Sequence, residues 1–109
     1  MPTTYKVLGQ VAPAAVTLTD LYTVPAANSA VISTIVACNT GNVSTTVRIA
    51  IRPAGAAANI KHYVAYDTPV SSTDSLFFTI GTTLAATDVI SVYAANAVVS
   101  FSAFGSEIY

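Results

Sequence analysis

The sequence predicts an all-β protein: a single antiparallel β-sandwich, jelly-roll-like, of about eight strands within one domain spanning residues 1–109. Three observations lead there. Val, Ile and Thr dominate the apolar segments, no helix-length stretch repeats with a 3.6-residue period, and turn residues recur about every 8–12 positions. That spacing is the habit of sandwiches and jelly rolls. A chain of 109 residues is one domain's worth, with room for one core.

The strands follow in order. The first two are read near 4–9 and 15–24, the second stopped by Pro25-Ala26-Ala27-Asn28. The third and fourth, near 30–38 and 45–52, are separated by Asn39-Thr40-Gly41-Asn42, and the fourth ends at Pro53-Ala54-Gly55. Proline locks its own φ and lacks a donor, while Asn and Gly tolerate turn dihedrals. The fifth lies near 61–67, with Pro69 ending its pairing, and the sixth near 75–81. The last two, near 88–94 and 97–104, read as a terminal hairpin with Asn96 in a left-handed turn position. The small-residue patch "PAGAAANI" reads as a surface loop or short turn.

Alternation then assigns faces. In "TVRIAIR", Val47, Ile49 and Ile51 oppose Arg48, Ala50 and Arg52, the pattern of a half-buried strand. In "AVISTIVAC", Val31, Ser33, Ile35 and Ala37 oppose Ile32, Thr34, Val36 and Cys38, and neither face is charged. "DVISVYA" behaves alike, Val89, Ser91 and Tyr93 opposing Ile90 and Val92. A sandwich of this size has one interior, so apolar residues on a second face are candidates for an interface and point to obligate assembly. The candidates are Ile32, Val36, Ile90 and Val92 on the central runs, and Tyr5, Val7, Phe104, Ile108 and Tyr109 near the two ends. Arg48 and Arg52 share a face that suits an acidic partner or a cross-strand pair with Asp67; Tyr63 and Tyr66 complete the set.

Composition excludes several functions. Hydrophobic residues make up 53% and charged residues only 8%, against about 25% charged in typical globular proteins. The surface must therefore be covered by small neutral side chains, or by another protein. A net charge of −1 carries no basic patch, so nucleic acid is set aside. No apolar run approaches the roughly 20 residues of a membrane span. The opening "MPTTYKVLGQ" lacks the apolar core of a signal peptide, so synthesis and retention in a cytosol until assembly or release is expected. By the same logic the acceptor pattern Asn42-Val43-Ser44 is read as coincidence.

Chemistry is sparse. The single Cys38 reads as an inert buried thiol and the single His62 as a strand residue with a hydrogen-bond partner; no pair of residues shows metal-ligand spacing. No G-x-S-x-G elbow occurs, and Asp20, Asp67, Asp74, Asp88 and Glu107 sit mostly at strand ends or turns. No catalytic, cofactor-binding or metal-binding residue is assigned, and no enzyme activity is expected. Tyr63 alternates with His62 and Tyr66, so the tyrosines are not expected to form one sugar-binding stripe; core and interface roles are favoured for them.

The segments "TYKVLGQVAP", "LYTVPA", "VISTIVACNTG", "RIAIRPAG", "HYVAYD", "LAATDVISVYA" and "VSFSAFGSEI" together resemble a group of small virion proteins of tailed bacteriophages and their prophage relatives. The most distinctive are Leu21 to Ala26, Leu84 to Ala94 and Phe104-Gly105-Ser106-Glu107, which are structural motifs silent on catalysis. The resemblance implies a sandwich that assembles as a homo-oligomer on the particle, located in the virion after synthesis in the host cytoplasm. Head decoration or cement proteins are typically trimers on the capsid lattice, so a trimer bound to the major capsid protein or another virion protein is the expectation. Tail, neck or fibre accessory is the alternative within that group, and a carbohydrate-binding module near Tyr63, Tyr66 and "PAGAAAN" the alternative outside it. "MPTTYKVL" and "FGSEIY" are read as arms toward a neighbour.

Overall fold

The computed structural model describes residues 3–79 and 81–109. Its strands are β1 (Thr3–Val11), β2 (Thr19–Thr23), β3 (Ser29–Asn39), β4 (Thr45–Arg52), β5 (Tyr63–Val70), β6 (Ser75–Phe78), β7 (Thr82–Leu84), β8 (Val89–Ala94) and β9 (Val99–Ile108). Two short 3-10 turns, Pro53–Gly55 and Ile60–His62, lie between β4 and β5. No helix among the described residues is long and apolar enough to cross a membrane.

One sheet runs β1-β9-β3-β6 with β7 also on β3, and the other runs β2-β8-β4-β5; every pairing is antiparallel. β6 pairs with Ile35–Cys38 and β7 with Ala30–Ile32, so the two are halves of one interrupted edge strand. Each sheet is therefore four strands wide, and the chain alternates between them in the order of a jelly roll. Consecutive strands pair only at β4 and β5.

Five sequence expectations need correction. β8 and β9 are in different sheets, so the terminal hairpin does not form. Asn96 does not adopt positive φ; its backbone N–H donates to Thr45 Oγ1 (3.1 Å) and its Oδ1 accepts from the same hydroxyl (2.8 Å), pinning the crossover to β4. The read strand at 15–24 begins only at Thr19, since Ala15 and Val16 form a turn with Val16 at φ 54. Pro69 lies within β5 and does not end it; β5 is an edge strand, where a missing donor can face outward. The strand read at 75–81 is β6, its reading at Ile80 falling outside the described residues, and β7 was not foreseen.

Register slips decide the core. On β3 the ladder with β9 shifts between Ile32 and Thr34, leaving Ser33 as a bulge. Ala30 and Ile32 face inward before it, Ile35 and Ala37 after it, and all four are fully buried. The bulge thus turns two apparent apolar faces into one buried set and one half-exposed set. Ile32, Ile90 and Val92, read as interface candidates, are 0% exposed within a single chain and belong to the core. They pack with Val47, Ile49, Leu84 and Phe101 between the sheets. Alternation alone misplaced Ile32 because it presumes an unbroken register; Ile90 and Val92 are simply the inner face of β8.

From Thr3 on, the two terminal segments are strands of the sandwich itself. β1 and β9 pair from Thr3 opposite Ile108 to Val11 opposite Phe101, and Thr4 and Tyr109 join their hydroxyls beyond the ladder. At Gly105 in β9 a Cβ would meet the Val31 carbonyl oxygen at 2.0 Å, on the neighbouring strand β3. Glycine stands there for room. Gly105→Ala is expected to lower stability by about 2 kcal/mol or more, read as a lower urea midpoint at unchanged slope, because the obstruction is backbone. Ser106→Ala, one residue on and on the outer face, is expected within about 0.5 kcal/mol of the parent.

Candidate functional site

The outer face of the β1-β9-β3-β6 sheet is built from cross-strand rows. Thr3, Ile108 and Ser29 form one row; Tyr5, Ser106, Val31 and Thr83 the next; then Val7, Phe104 and Thr34; then Gln10, Ser102, Val36 and Phe77; and finally Ser100, Cys38 and Ser75. None of these residues is charged. Tyr5 is 83% exposed and Phe77 69%, with Val7 and Tyr109 also open to solvent and Val36, Phe104 and Ile108 half-buried. A groove of about 460 Å³ runs between Val7, Val31 and Phe104, with Lys6 also in its lining. The face gathers the interface candidates Tyr5, Val7, Val36, Phe104, Ile108 and Tyr109, which lie at the two ends and the middle of the sequence.

Phe77 and Val31 were missed. Phe77 is adjacent to the inward Phe78 in "SLFFT", where two equal aromatics hide which one points out; pairing opposite Val36 decides it. Cys38 is half-buried on this same face, not sealed in the core.

The only charged residues on the strands of this sheet are Lys6 and Glu107, and they bind each other at 2.8 Å. Glu107 is 5% exposed on the inner phase of β9 and also accepts a 2.5 Å hydrogen bond from the Tyr22 hydroxyl on β2. This one carboxylate joins β1, β9 and the opposite sheet. It also unites two motifs of the sequence, the Tyr22 of "LYTVPA" and the Glu107 of "FGSEI". The register slip of β2 between Asp20 and Tyr22 buries both Leu21 and Tyr22, which aims the phenol across the sandwich.

Those contacts set the charges. The hydrogen bonds from Lys6 and Tyr22 hold the Glu107 carboxyl below its usual range despite burial, and Glu107 in turn raises Lys6. Desolvation, then the hydrogen bond to Glu107, pushes the Tyr22 phenol well up, so it remains a donor.

The opposite outer face, on β2-β8-β4-β5, holds the arginines. Because Val47 pairs with Thr68 and Ile49 with Ala65, both Tyr66 and Asp67 stand across from Arg48, a bulge with Asp67 at φ 52. Arg48 Nε and one Nη donate to the two Asp67 carboxylate oxygens at 2.6 and 3.3 Å, while its guanidinium carbon sits 4.1 Å from the Tyr66 ring and 4.4 Å from the Tyr93 ring. Of the two expected roles for Arg48, the cross-strand pair with Asp67 is the one formed. A second slip, between Ile49 opposite Ala65 and Ala50 opposite Tyr63, leaves Val64 as an extra residue and overturns the separation expected for the tyrosines: Tyr63 and Tyr66 share one face and meet edge-to-face with centroids 5.0 Å apart.

Arg52 is an internal clamp. It donates to Asp20 (2.8 Å), Ser91 (3.0 Å) and the carbonyls of Gly55 (3.3 Å) and Ala56 (2.9 Å), tying β4 to β2, β8 and the following loop. Both arginines are thus paired with carboxylates of the same chain, Arg48 with Asp67 and Arg52 with Asp20. Asp88 accepts from the backbone N–H groups of Ala54 and Ala85, both at 2.9 Å, as expected of an aspartate at a turn.

His62 is not on a strand. It closes the 3-10 turn before β5, where its Nδ1 accepts from the Asn59 N–H at 3.1 Å. The turn that holds it leads into β5, in the sheet opposite to that of Cys38, and no group of three or more His, Cys, Asp or Glu residues among those described could hold a metal ion. No protein-family model matches the chain, and no curated protein matches it.

Because Glu107 is lowered on folding, its contribution is complete above the ordinary glutamate range near 4.5 and is lost as pH falls through its folded value. Melting temperatures measured from pH 7 to pH 2 should therefore fall on acidification. Glu107→Gln should start lower at pH 7 and lose less on acidification than the parent. Tyr22→Phe, which removes one hydrogen bond to the charged form, is expected to cost about 1–2 kcal/mol at pH 7.

Proposed function

We propose that the protein is a non-enzymatic structural component of a tailed-phage particle, and that it serves as a capsid decoration protein that binds and stabilises the assembled head. The observation that carries this reading is the outer face of β1-β9-β3-β6, whose cross-strand rows carry no charge and whose one bordering cation, Lys6, is paired with Glu107. In a chain whose cations on the opposite sheet are both internally paired, Tyr5, Val7 and Phe77 stand open on this face.

The size of that face is in keeping with an assembly surface. Four strands at about 4.8 Å spacing and about 34 Å of β9 give roughly 650 Å² before side-chain relief, near the roughly 800 Å² that each partner buries in a standard interface. The segment resemblance to small virion proteins agrees with it; within that group, head decoration proteins are typically trimers on the capsid lattice, and similar sandwiches occur in tails, necks and fibres. A protein that binds the finished lattice but not free subunits stabilises the shell by mass action. Repetition by symmetry then converts modest contacts into firm attachment.

A tail, neck or fibre accessory would use the same face at lower copy number. A sugar-binding module has one observation in its favour: Tyr63, Tyr66 and Tyr93 gather on one outer face. Arg48 already covers part of the Tyr66 and Tyr93 rings, which leaves less open aromatic surface for a sugar.

Quantitative mass spectrometry of purified particles tests the reading. A copy number equal to, or a simple fraction of, that of the major capsid protein is expected; a very low ratio moves the protein to tail or neck, and absence ends the virion reading. The double variant Tyr5→Glu with Phe77→Glu should lose at least tenfold in particle affinity while its melting temperature stays near the parent's, since both side chains are exposed.

A further inference from the structure

A second cavity, also of about 460 Å³, lies beside the end of β4 and is lined by Ile51, Pro53, Ala56, Lys61, His62 and Val64. It belongs to the other sheet and shares no residue with the groove on the outer face of β1-β9-β3-β6. Its floor is set by local rules. β4 stops where Pro53 opens the first 3-10 turn, and Asn59 caps the second, its Oδ1 accepting from the Lys61 N–H at 3.3 Å and its own N–H donating to His62 Nδ1 at 3.1 Å.

That cap fixes the imidazole. With Nδ1 as acceptor, the neutral ring carries its proton on Nε2. His62 is nine-tenths buried, yet Nε2 bonds to none of the described residues, and no side-chain nitrogen or oxygen among them is both sealed from solvent and unpartnered. Nε2 therefore keeps contact with solvent and has no protein partner among the described residues, and His62 is part of the groove lining. The capping turn accounts for Nδ1 and leaves Nε2 without a structural role. Lys61, the preceding residue, forms no ion pair with the described residues, unlike Lys6, Arg48 and Arg52.

We propose that this cavity binds a small organic carboxylate with an apolar body. The residue types select the charge: Lys61 and His62 are both part of the lining, and no acidic side chain is. Ile51, Pro53, Ala56 and Val64 select the rest, since aliphatic walls with a few placed polar groups are the usual make-up of a small-molecule site, and the volume is within the usual range. The site is independent of the assembly reading and stands or falls separately from it.

Hexanoate, hexanamide and hexylamine are the probes, titrated into the full chain and followed by the His62 ring nitrogens and the Ile51 and Val64 methyl groups in NMR spectra. Hexanoate should shift these signals and bind at least tenfold more tightly than hexanamide, with hexylamine not binding. His62→Asn keeps an acceptor for the Asn59 N–H and removes the Nε2–H; Lys61→Gln removes the charge. Each should weaken hexanoate about tenfold while leaving the melting temperature in place. Equal binding of the acid and the amide, no shift up to the solubility of hexanoate, or full affinity in both variants would overturn the proposal.

Discussion

Side chains alternate along a strand, so a run with aliphatic residues at both odd and even positions can fill a single interior only if its register slips. This jelly roll depends on such slips. The bulge at Ser33 lets Ile32 and Ile35 both enter the core of β3. The slip in β2 buries Leu21 beside Tyr22, and the one in β5 sets Tyr66 and Asp67 together across from Arg48. Each slip adds one unpaired residue and changes which face the rest of its strand presents. The core, the neutral outer face and the arginine cluster all follow from where these residues lie.

With the aliphatic residues drawn inward, the two outer faces can differ in kind. On β2-β8-β4-β5, Arg48 and Arg52 have carboxylates, carbonyls and aromatic rings as partners, so that surface is charged but internally satisfied. On β1-β9-β3-β6 the outward rows carry only Ser, Thr, Gln, Cys and apolar side chains. Lys6 and Glu107, the charges its strands do contain, are paired with each other. Rows of this kind have little to lose by desolvation.

Glu107 holds this division together. A buried carboxylate is costly unless it is paired and hydrogen-bonded, and Glu107 has both a cation and a phenol within 2.8 Å. These partners come from β1 and β2, so the last strand is anchored to the first two across the sandwich. Near Gly105 the absence of a side chain lets the β9 backbone approach the Val31 carbonyl. The short motif containing both residues therefore acts in sheet packing and in electrostatics at once.

The sequence by itself determined that the chain is all β, that its strands form a single sandwich, and roughly where most of them run. Those features rest on local causes: β-branched residues, proline and glycine breaks, and a period of two. It also pointed to Arg48 pairing with Asp67, and to Tyr5, Val7 and Phe104 as residues without a place in the core. Only the tertiary structure decided that β8 and β9 separate into different sheets, that Ile32, Ile90 and Val92 are buried, and that Phe77 joins Val36 on an open face. It alone brought Tyr63 beside Tyr66 and Tyr22 onto Glu107. The physical reason is that sheet membership and register are settled between strands distant in sequence, and a one-residue bulge reverses every later assignment of inside and outside.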